Sequence, residues 1–475
     1  MSSDNILMVL IFLSGFYMAW NIGANDVSNA MGTSVGSRAL TLFKAVIIAG
    51  ILEFCGAFFL GGNVSRTLQQ GLVNPTFFSE NPRILLFGML SALLSTALWL
   101  QIASYFGWPV STTHAIVGAL LGFGSLIGGI HAVEWKEVGK IALSWVVSPV
   151  LSSVFAFIIF SILQKQVLFA LNPIHASRKL IPILTFVVMV VFTLSILLNG
   201  LGSFHVYPSL LETLGIALGV GLIGALISCL LLRMYRDCQR PVQTSLRLSQ
   251  QVFSLNKALR HLRRVQLTSK GKARENATHL LREVTAYTEE IRSQTNFYEK
   301  GSDFHVVEKM FASLQIVSAC YVAFAHGAND VANAIGPVGA AIDILRKGSV
   351  SLSGTIPTWL LAMGGIGIVI GLATWGFRVM ETIGRKITEL TPTRGFSAEF
   401  GAAITILVAS KMGLPLSTTH CIVGAVFGVG LARGISALNL RVLRDIALSW
   451  IITIPSSAIA CILLFYLIKS IFKVS

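Results

Sequence analysis

Two strings occur twice in this chain, in one order and at nearly one spacing. "GANDVSNAMG" (23–32) returns as "GANDVANAIG" (327–336), shifted by 304. "GWPVSTTHAIVGALLGFG" (107–124) returns as "GLPLSTTHCIVGAVFGVG" (413–430), shifted by 306. "IALSW" (141–145) returns at 446–450. Three ordered matches at one offset restrict the fold to two copies of a single unit, residues 5–165 and 310–472.

The unit is apolar. The chain is 54% hydrophobic and 12% charged, against about 25% charged in soluble domains. Runs such as "IPILTFVVMVVFTLSILL" (181–198) and "TLGIALGVGLIGALISCLLL" (213–232) are long enough to cross a bilayer as helices. A large soluble core does not produce such runs. "MSSDN" carries no basic n-region, so the first helix is expected to belong to the mature protein. The six cysteines are scattered, five of them in apolar runs, with neither metal-ligand nor disulfide spacing. The net charge of +15 is uneven: residues 233–309 hold fifteen Lys/Arg and eight Asp/Glu. A basic segment between membrane helices reads as a cytoplasmic loop rather than a nucleic-acid surface.

Each unit is expected to cross five times, at about 6–34, 42–62, 84–106, 112–130 and 141–162, then at 310–338, 356–376, 396–412, 418–433 and 443–468. An odd number of crossings inverts the second unit relative to the first. A linking pair (about 180–199 and 211–232, within 166–232) returns the chain to the side it left. The link 200–209 has no Lys or Arg, as suits an external loop. The expected fold is an all-α polytopic membrane protein. It has about 12 transmembrane segments in two inverted-topology repeats with broken or re-entrant helices, and both termini lie outside. In the loop, Leu248, Val252, Leu255, Leu259 and Leu262 step by four and three, as do Ala277, Leu281, Val284, Thr288 and Ile291. With "SKGK" (269–272) as the turn, this spacing predicts a cytoplasmic helical hairpin.

The repeated strings hold the chemistry. Asp26 and Asp330 lie inside apolar segments, where a carboxylate costs roughly 2.5–3.5 kcal/mol even on the lenient scale. No lysine or arginine lies within the flanking turns, so a bound cation is the economical partner. Hard cations such as Na⁺ take oxygen ligands, which carboxylates and amides supply. Asn25 and Asn29, like Asn329 and Asn333, lie four apart and can share a helix face. The glycines predict local unwinding that frees backbone carbonyls. The competing reading is a polar packing motif with a protonated aspartate.

"PVSTTH" (109–114) and "PLSTTH" (415–420) read as helix starts with Ser111 and Ser417 as N-caps. The N–H groups of Thr112, Thr113, His114, Thr418, Thr419 and His420 then lack intrahelical acceptors and favour an anion. Ordinary capping is the alternative. His114 and His420 can donate to an oxyanion or relay a proton, or can pack against backbone carbonyls. Glu53 is an isolated intramembrane acid, and Glu399 stands where the first repeat has Leu93. Such asymmetry points to coupling or gating. Ser111 and His114 lack a third member for nucleophilic catalysis, so no enzyme activity is expected.

The paired "GAND…NA" and "STTH" strings resemble those of the PiT inorganic phosphate transporters, over both repeats. The resemblance implies import of inorganic phosphate across the plasma (inner) membrane by symport with Na⁺ or H⁺. It implies cation binding at Asn25, Asp26, Asn329 and Asp330, with Na⁺ at Asp26 and Asp330 if sodium is the coupling ion. Ser111, Thr112, Thr113, Ser417, Thr418 and Thr419 would surround phosphate. Glu53 and Glu399 match acids tied to transport in the family, while Met89 occupies the place of a further acid found in some members. The expected partners are phosphate, the coupling cation, the lipid bilayer and a second copy in a homodimer, with no cofactor and no nucleic acid. A sulfate permease of the same fold and a passive anion channel are the rival readings.

Overall fold

The structure is a computed structural model that describes residues 3–70, 72–199, 208–234, 243–298, 303–350, 356–382, 384, 387–411 and 416–472. Its helices in the first repeat are α1 (Ser3–Asn25), α2 (Ser28–Gly36), α3 (Leu42–Gln70), α4 (Pro82–Phe106), α5 (Thr112–Ile127) and α6 (Trp135–Leu163). The linking pair is α7 (Pro173–Asn199) and α8 (Leu210–Met234), and the basic loop forms α9 (Gln243–Thr268) and α10 (Lys272–Tyr298). The second repeat comprises α11 (Asp303–Lys347), α12 (Thr358–Trp375), α13 (Phe377–Glu381), α14 (Pro392–Lys411), α15 (Thr418–Arg433) and α16 (Leu440–Ile471).

Among the described residues, nine helices are long and apolar enough to cross a membrane. α5 and α15 are shorter, with 16 residues each. At about 1.5 Å per residue they reach roughly 24 Å, short of a hydrocarbon core of roughly 30 Å. Among the described residues they are the two short apolar helices of the bundle. Most of the expected external link, 200–207, lies outside the described residues, as do Gly413, Leu414 and Pro415 ahead of the second helix start.

The chain divides into two compact units. The larger contains residues 1–161, 186–223 and 312–475, hence most of both repeats. Inside it the repeats pack on each other crosswise. α5 lies on α16: a β-carbon on Gly118 would come 2.6 Å from the Ile454 carbonyl oxygen. α15 lies on α6 in the same way, with Gly424 against the Pro149 carbonyl. α1 and α12 meet where Gly23 faces Ile368, and α11 and α3 meet where Gly327 faces Glu53. Each contact in one half thus has its counterpart in the other, and Ile368 stands at the position equivalent to Glu53.

The smaller unit contains residues 162–185 and 224–311. In it α9 and α10 form an antiparallel hairpin. Gly271, at φ +60°, supplies the left-handed residue of the turn. Ala277, Thr288 and Ile291 of α10 are buried along the seam. Gln266 of α9 donates to Thr278 of α10 at 2.9 Å. The side chains of Leu248 and Val252 lie outside the described residues.

Candidate functional site

The two helix starts form as their composition dictates. Ser111 Oγ accepts from the His114 N–H at 3.2 Å, and Ser417 Oγ from the His420 N–H at 3.3 Å. Both serines have extended backbone, as N-caps do. The caps leave other first-turn N–H groups free of intrahelical partners. Ser111 Oγ is therefore engaged in capping, not poised as a nucleophile.

The next residue reaches the acid of its own repeat. Thr112 Oγ1 donates to Asp26 Oδ2. Thr418 Oγ1 donates to Asp330 Oδ2 at 3.2 Å. Thr419 crosses between repeats: it accepts from Asn29 Nδ2 at 2.9 Å and lies 3.4 Å from Asp26 Oδ1 and 3.2 Å from the Val110 carbonyl. Its one hydroxyl proton serves only one of those two acceptors at a time. Asn25 Nδ2 donates to Ser104 Oγ and the Trp108 carbonyl, both at 3.0 Å. Asn329 Nδ2 donates to Asp330 Oδ1 at 2.8 Å. Ser111, Thr112, Thr113, Ser417, Thr418 and Thr419 are all buried, as are Asn25, Asp26, Asn29, Asp330 and Asn333. The structure therefore joins Asp26, Asn29 and Thr112 of the first repeat with Asn329, Asp330, Thr418 and Thr419 of the second in one polar cluster.

The two "GAND" strings differ in backbone. The first lies at a break between α1 and α2, where Asn29 N–H donates to Asp26 O at 2.9 Å and Ala30 N–H to Val27 O at 3.1 Å. The second lies inside α11, 45 residues without interruption. The unwinding expected at both copies thus occurs only at the first. α11 runs unbroken through the same glycines, held against α3 at Gly327.

One residue immediately before the second string was missed by reading the sequence for Lys and Arg. His326 is fully buried, with Nδ1 2.8 Å from Glu53 Oε2 and Nε2 2.7 Å from Asp330 Oδ2. Ligand atoms of Asp26, His326 and Asp330 all lie within 4.8 Å of one another. Satisfying both ring nitrogens against two carboxyls requires two protons shared among the three groups. His326 thus supplies the partner that Asp330 was expected to take from a cation alone. The signal was its position four residues before Asp330, on one helical face. By the repeat offset the counterpart of His326 is Ile22, and by the matching packing of Gly23 and Gly327 the counterpart of Glu53 is Ile368, so this polar pair has an apolar twin.

Glu399 is fully buried. It accepts from Thr33, from Ser34 at 2.8 Å, from Gln315 at 3.2 Å and from Ser318 at 2.6 Å. Four donors offset much of the cost of burying a carboxylate. Gln315 is held in turn by Ser37, which donates to its Oε1 at 2.7 Å. His114 and His420 meet edge to face at 4.5 Å between ring centroids. His114 packs on Trp145 and His420 stacks on Trp450. His420 Nδ1 lies 3.0 Å from the Trp145 carbonyl, which Pro149, lacking an N–H, leaves without its helical donor. Met89 is buried in α4.

Apolar helices in two crosswise-packed repeats, with two short helices starting at buried acids, define a multi-pass membrane transporter built on inverted repeats. The chain belongs to the phosphate transporter family, whose signature matches residues 22–461. It is 41% identical over 467 residues to a Chlamydia trachomatis protein provisionally named a phosphate permease, covering 98% of this chain and 99% of that one. It is 43% identical over 455 residues to the chloroplastic inorganic phosphate transporter 2-1 of Arabidopsis thaliana, covering 95% of this chain and 70% of that protein. Among solved structures, a sodium-dependent phosphate transporter matches with a TM-score of 0.76 and 35% identity, over 98% of this chain and 100% of its own. The family and fold are those of a transporter rather than an enzyme.

Proposed function

We propose that this protein imports inorganic phosphate across the plasma membrane by symport with a cation, Na⁺ or H⁺. Phosphate binds at the starts of α5 and α15, against Ser111, Thr112, Thr113, Ser417, Thr418 and Thr419. The cations bind at Asn25, Asp26, Asn329 and Asp330. Asn29, Asn333, Glu53, Glu399, His114 and His420 position these groups or couple their occupancy. Both termini lie outside, and the 233–309 loop with its hairpin is cytoplasmic.

The observation that carries this reading is the direct contact of the first STTH threonine in each repeat, Thr112 and Thr418, with an aspartate. An anion at those hydroxyls sits beside two carboxyl groups. Like charges at such distances in a low-dielectric site repel by several kcal/mol, of the order of 4 kcal/mol at 4 Å. Cations at the aspartates remove that repulsion and replace it with attraction. Each ion therefore raises the affinity of the other, and linkage makes the effect reciprocal. That is the thermodynamic requirement of symport, and a passive channel does not need it. Family membership and the phosphate names of the relatives support the choice of anion. The sodium-dependent structural neighbour supports a cation.

The test is uptake of labelled phosphate and labelled sulfate into proteoliposomes, each competed with the other. Phosphate is expected to enter and to suppress any sulfate uptake. Sulfate uptake undiminished by excess phosphate contradicts the assignment.

A further inference from the structure

Three buried asparagines on the first repeat share one hydrogen-bonding state. Asn21, Asn25 and Asn29 lie four residues apart, and each is at most 1% exposed. Each NH₂ is engaged: Asn21 Nδ2 with the Tyr17 carbonyl at 3.0 Å, Asn25 Nδ2 with Ser104 and Trp108, and Asn29 Nδ2 with Thr419. Each amide oxygen is buried and accepts no hydrogen bond from the described residues. A buried unpaired acceptor costs free energy comparable to a lost hydrogen bond. Asn21 and Asn25 lie one turn apart on α1 and Asn29 follows just past the break on α2, so three free oxygens flank Asp26 in sequence.

Asn25 and Asn29 belong to the repeated string. Asn21 does not: its counterpart is Ala325. Beyond Asn21 the file continues to Tyr17, whose hydroxyl donates to Gln101 Oε1 in a part-buried setting. Gln101 has Leu407 as its counterpart. The second repeat therefore closes with alanine and leucine the route that the first lines with amides.

Resting on the symport reading above, we infer that Asn21 is a ligand for a metal cation. It forms the outer rung of an approach to Asp26 from the membrane face where α1 begins. Its occupant is a partly dehydrated monovalent cation of the Na⁺ type, handed about 6 Å along the helix to Asn25. An amide carries no ionisable proton, so this rung ligates a metal ion through oxygen and does not relay a bare proton. The inference thus narrows the coupling ion to Na⁺ and makes the two repeats unequal, with cation access through the first.

The test compares Asn21→Ala with Asn21→Ser. The two side chains are close in size, but only serine offers an oxygen. The readouts are phosphate uptake against Na⁺ concentration at fixed pH, phosphate KM at saturating Na⁺, and ²²Na⁺ binding to the purified full-length protein. Asn21→Ala is expected to raise the Na⁺ KM and weaken ²²Na⁺ binding about tenfold, with phosphate KM at saturating Na⁺ within twofold of wild type. Asn21→Ser is expected to recover most of that loss. Asn21→Val takes the place of Asn21→Ala should the latter not fold. An unchanged Na⁺ KM in the apolar variant, or equal losses in the alanine and serine variants, overturns the inference. A wild-type protein that transports phosphate without any Na⁺ dependence contradicts sodium coupling itself, and that result is visible before any variant is made.

Discussion

Thr112 and Asp26, 86 residues apart, are joined by a hydroxyl-to-carboxylate hydrogen bond, and Thr418 and Asp330, 88 residues apart, repeat it in the other half of the molecule. The bond ties the start of a short apolar helix to the acid of its repeat. It also places the expected anion donors on the expected cation ligands. Thr112→Val and Thr418→Val keep the side-chain shape and remove the donor. A hydrogen bond to a charged group is worth about 1.5–3 kcal/mol, and each 1.4 kcal/mol is tenfold. Each variant is expected to lower kcat/KM for labelled phosphate by about 10- to 100-fold. Thr→Ser at either position is expected to retain most activity.

Asp26→Asn and Asp330→Asn remove one negative charge each and keep the volume. Cation-driven uptake is expected to be abolished in both, with membrane expression close to wild type by immunoblot. Normal cation-driven transport in both variants refutes the cation-site assignment.

Glu53 and His326 form a fully buried pair in a setting where the other repeat has Ile368 and Ile22. Removing one member of a buried pair leaves an uncompensated polar group and typically costs about 3–5 kcal/mol. Glu53→Ile and His326→Ile are each expected to lower the Tm of the purified protein markedly. The double variant, which reproduces the apolar twin, is expected to recover part of the loss while remaining inactive. The interaction energy is read from a double-mutant cycle in thermal denaturation.

Close helix contact gives a prediction about stability alone. A β-carbon on Gly371 of α12 would lie 1.8 Å from the Trp20 carbonyl oxygen of α1. The obstacle is backbone, which cannot move aside cheaply. Gly371→Ala is expected to lower Tm by several degrees or to abolish folding. Gly215→Ala on α8, with nothing within 4 Å of the added carbon, is expected to leave Tm unchanged or slightly higher.

Much of this arrangement is legible in the residues because it is local or duplicated. The offset near 304–306 defines the repeats, and Ser111 and Ser417 cap helices where their strings require it. Pairings across the repeats are not legible. Glu53 meets His326 from 273 residues away, and Glu399 collects donors from positions 33, 34, 315 and 318. Sequence shows that these acids are isolated along the chain, but only packing shows what they face. The uninterrupted α11 has the same cause. Glycine permits a break, and the neighbouring helices decide whether one forms.

The central claim is that phosphate and cation move together because each relieves the other's electrostatic cost. Its most direct test is flux coupling in proteoliposomes with no imposed cation gradient. An inward phosphate gradient should then drive ²²Na⁺ inward in a fixed ratio to phosphate, and Asp26→Asn should abolish both fluxes. Phosphate entry at an undiminished rate with no accompanying Na⁺ or H⁺ movement would contradict the account.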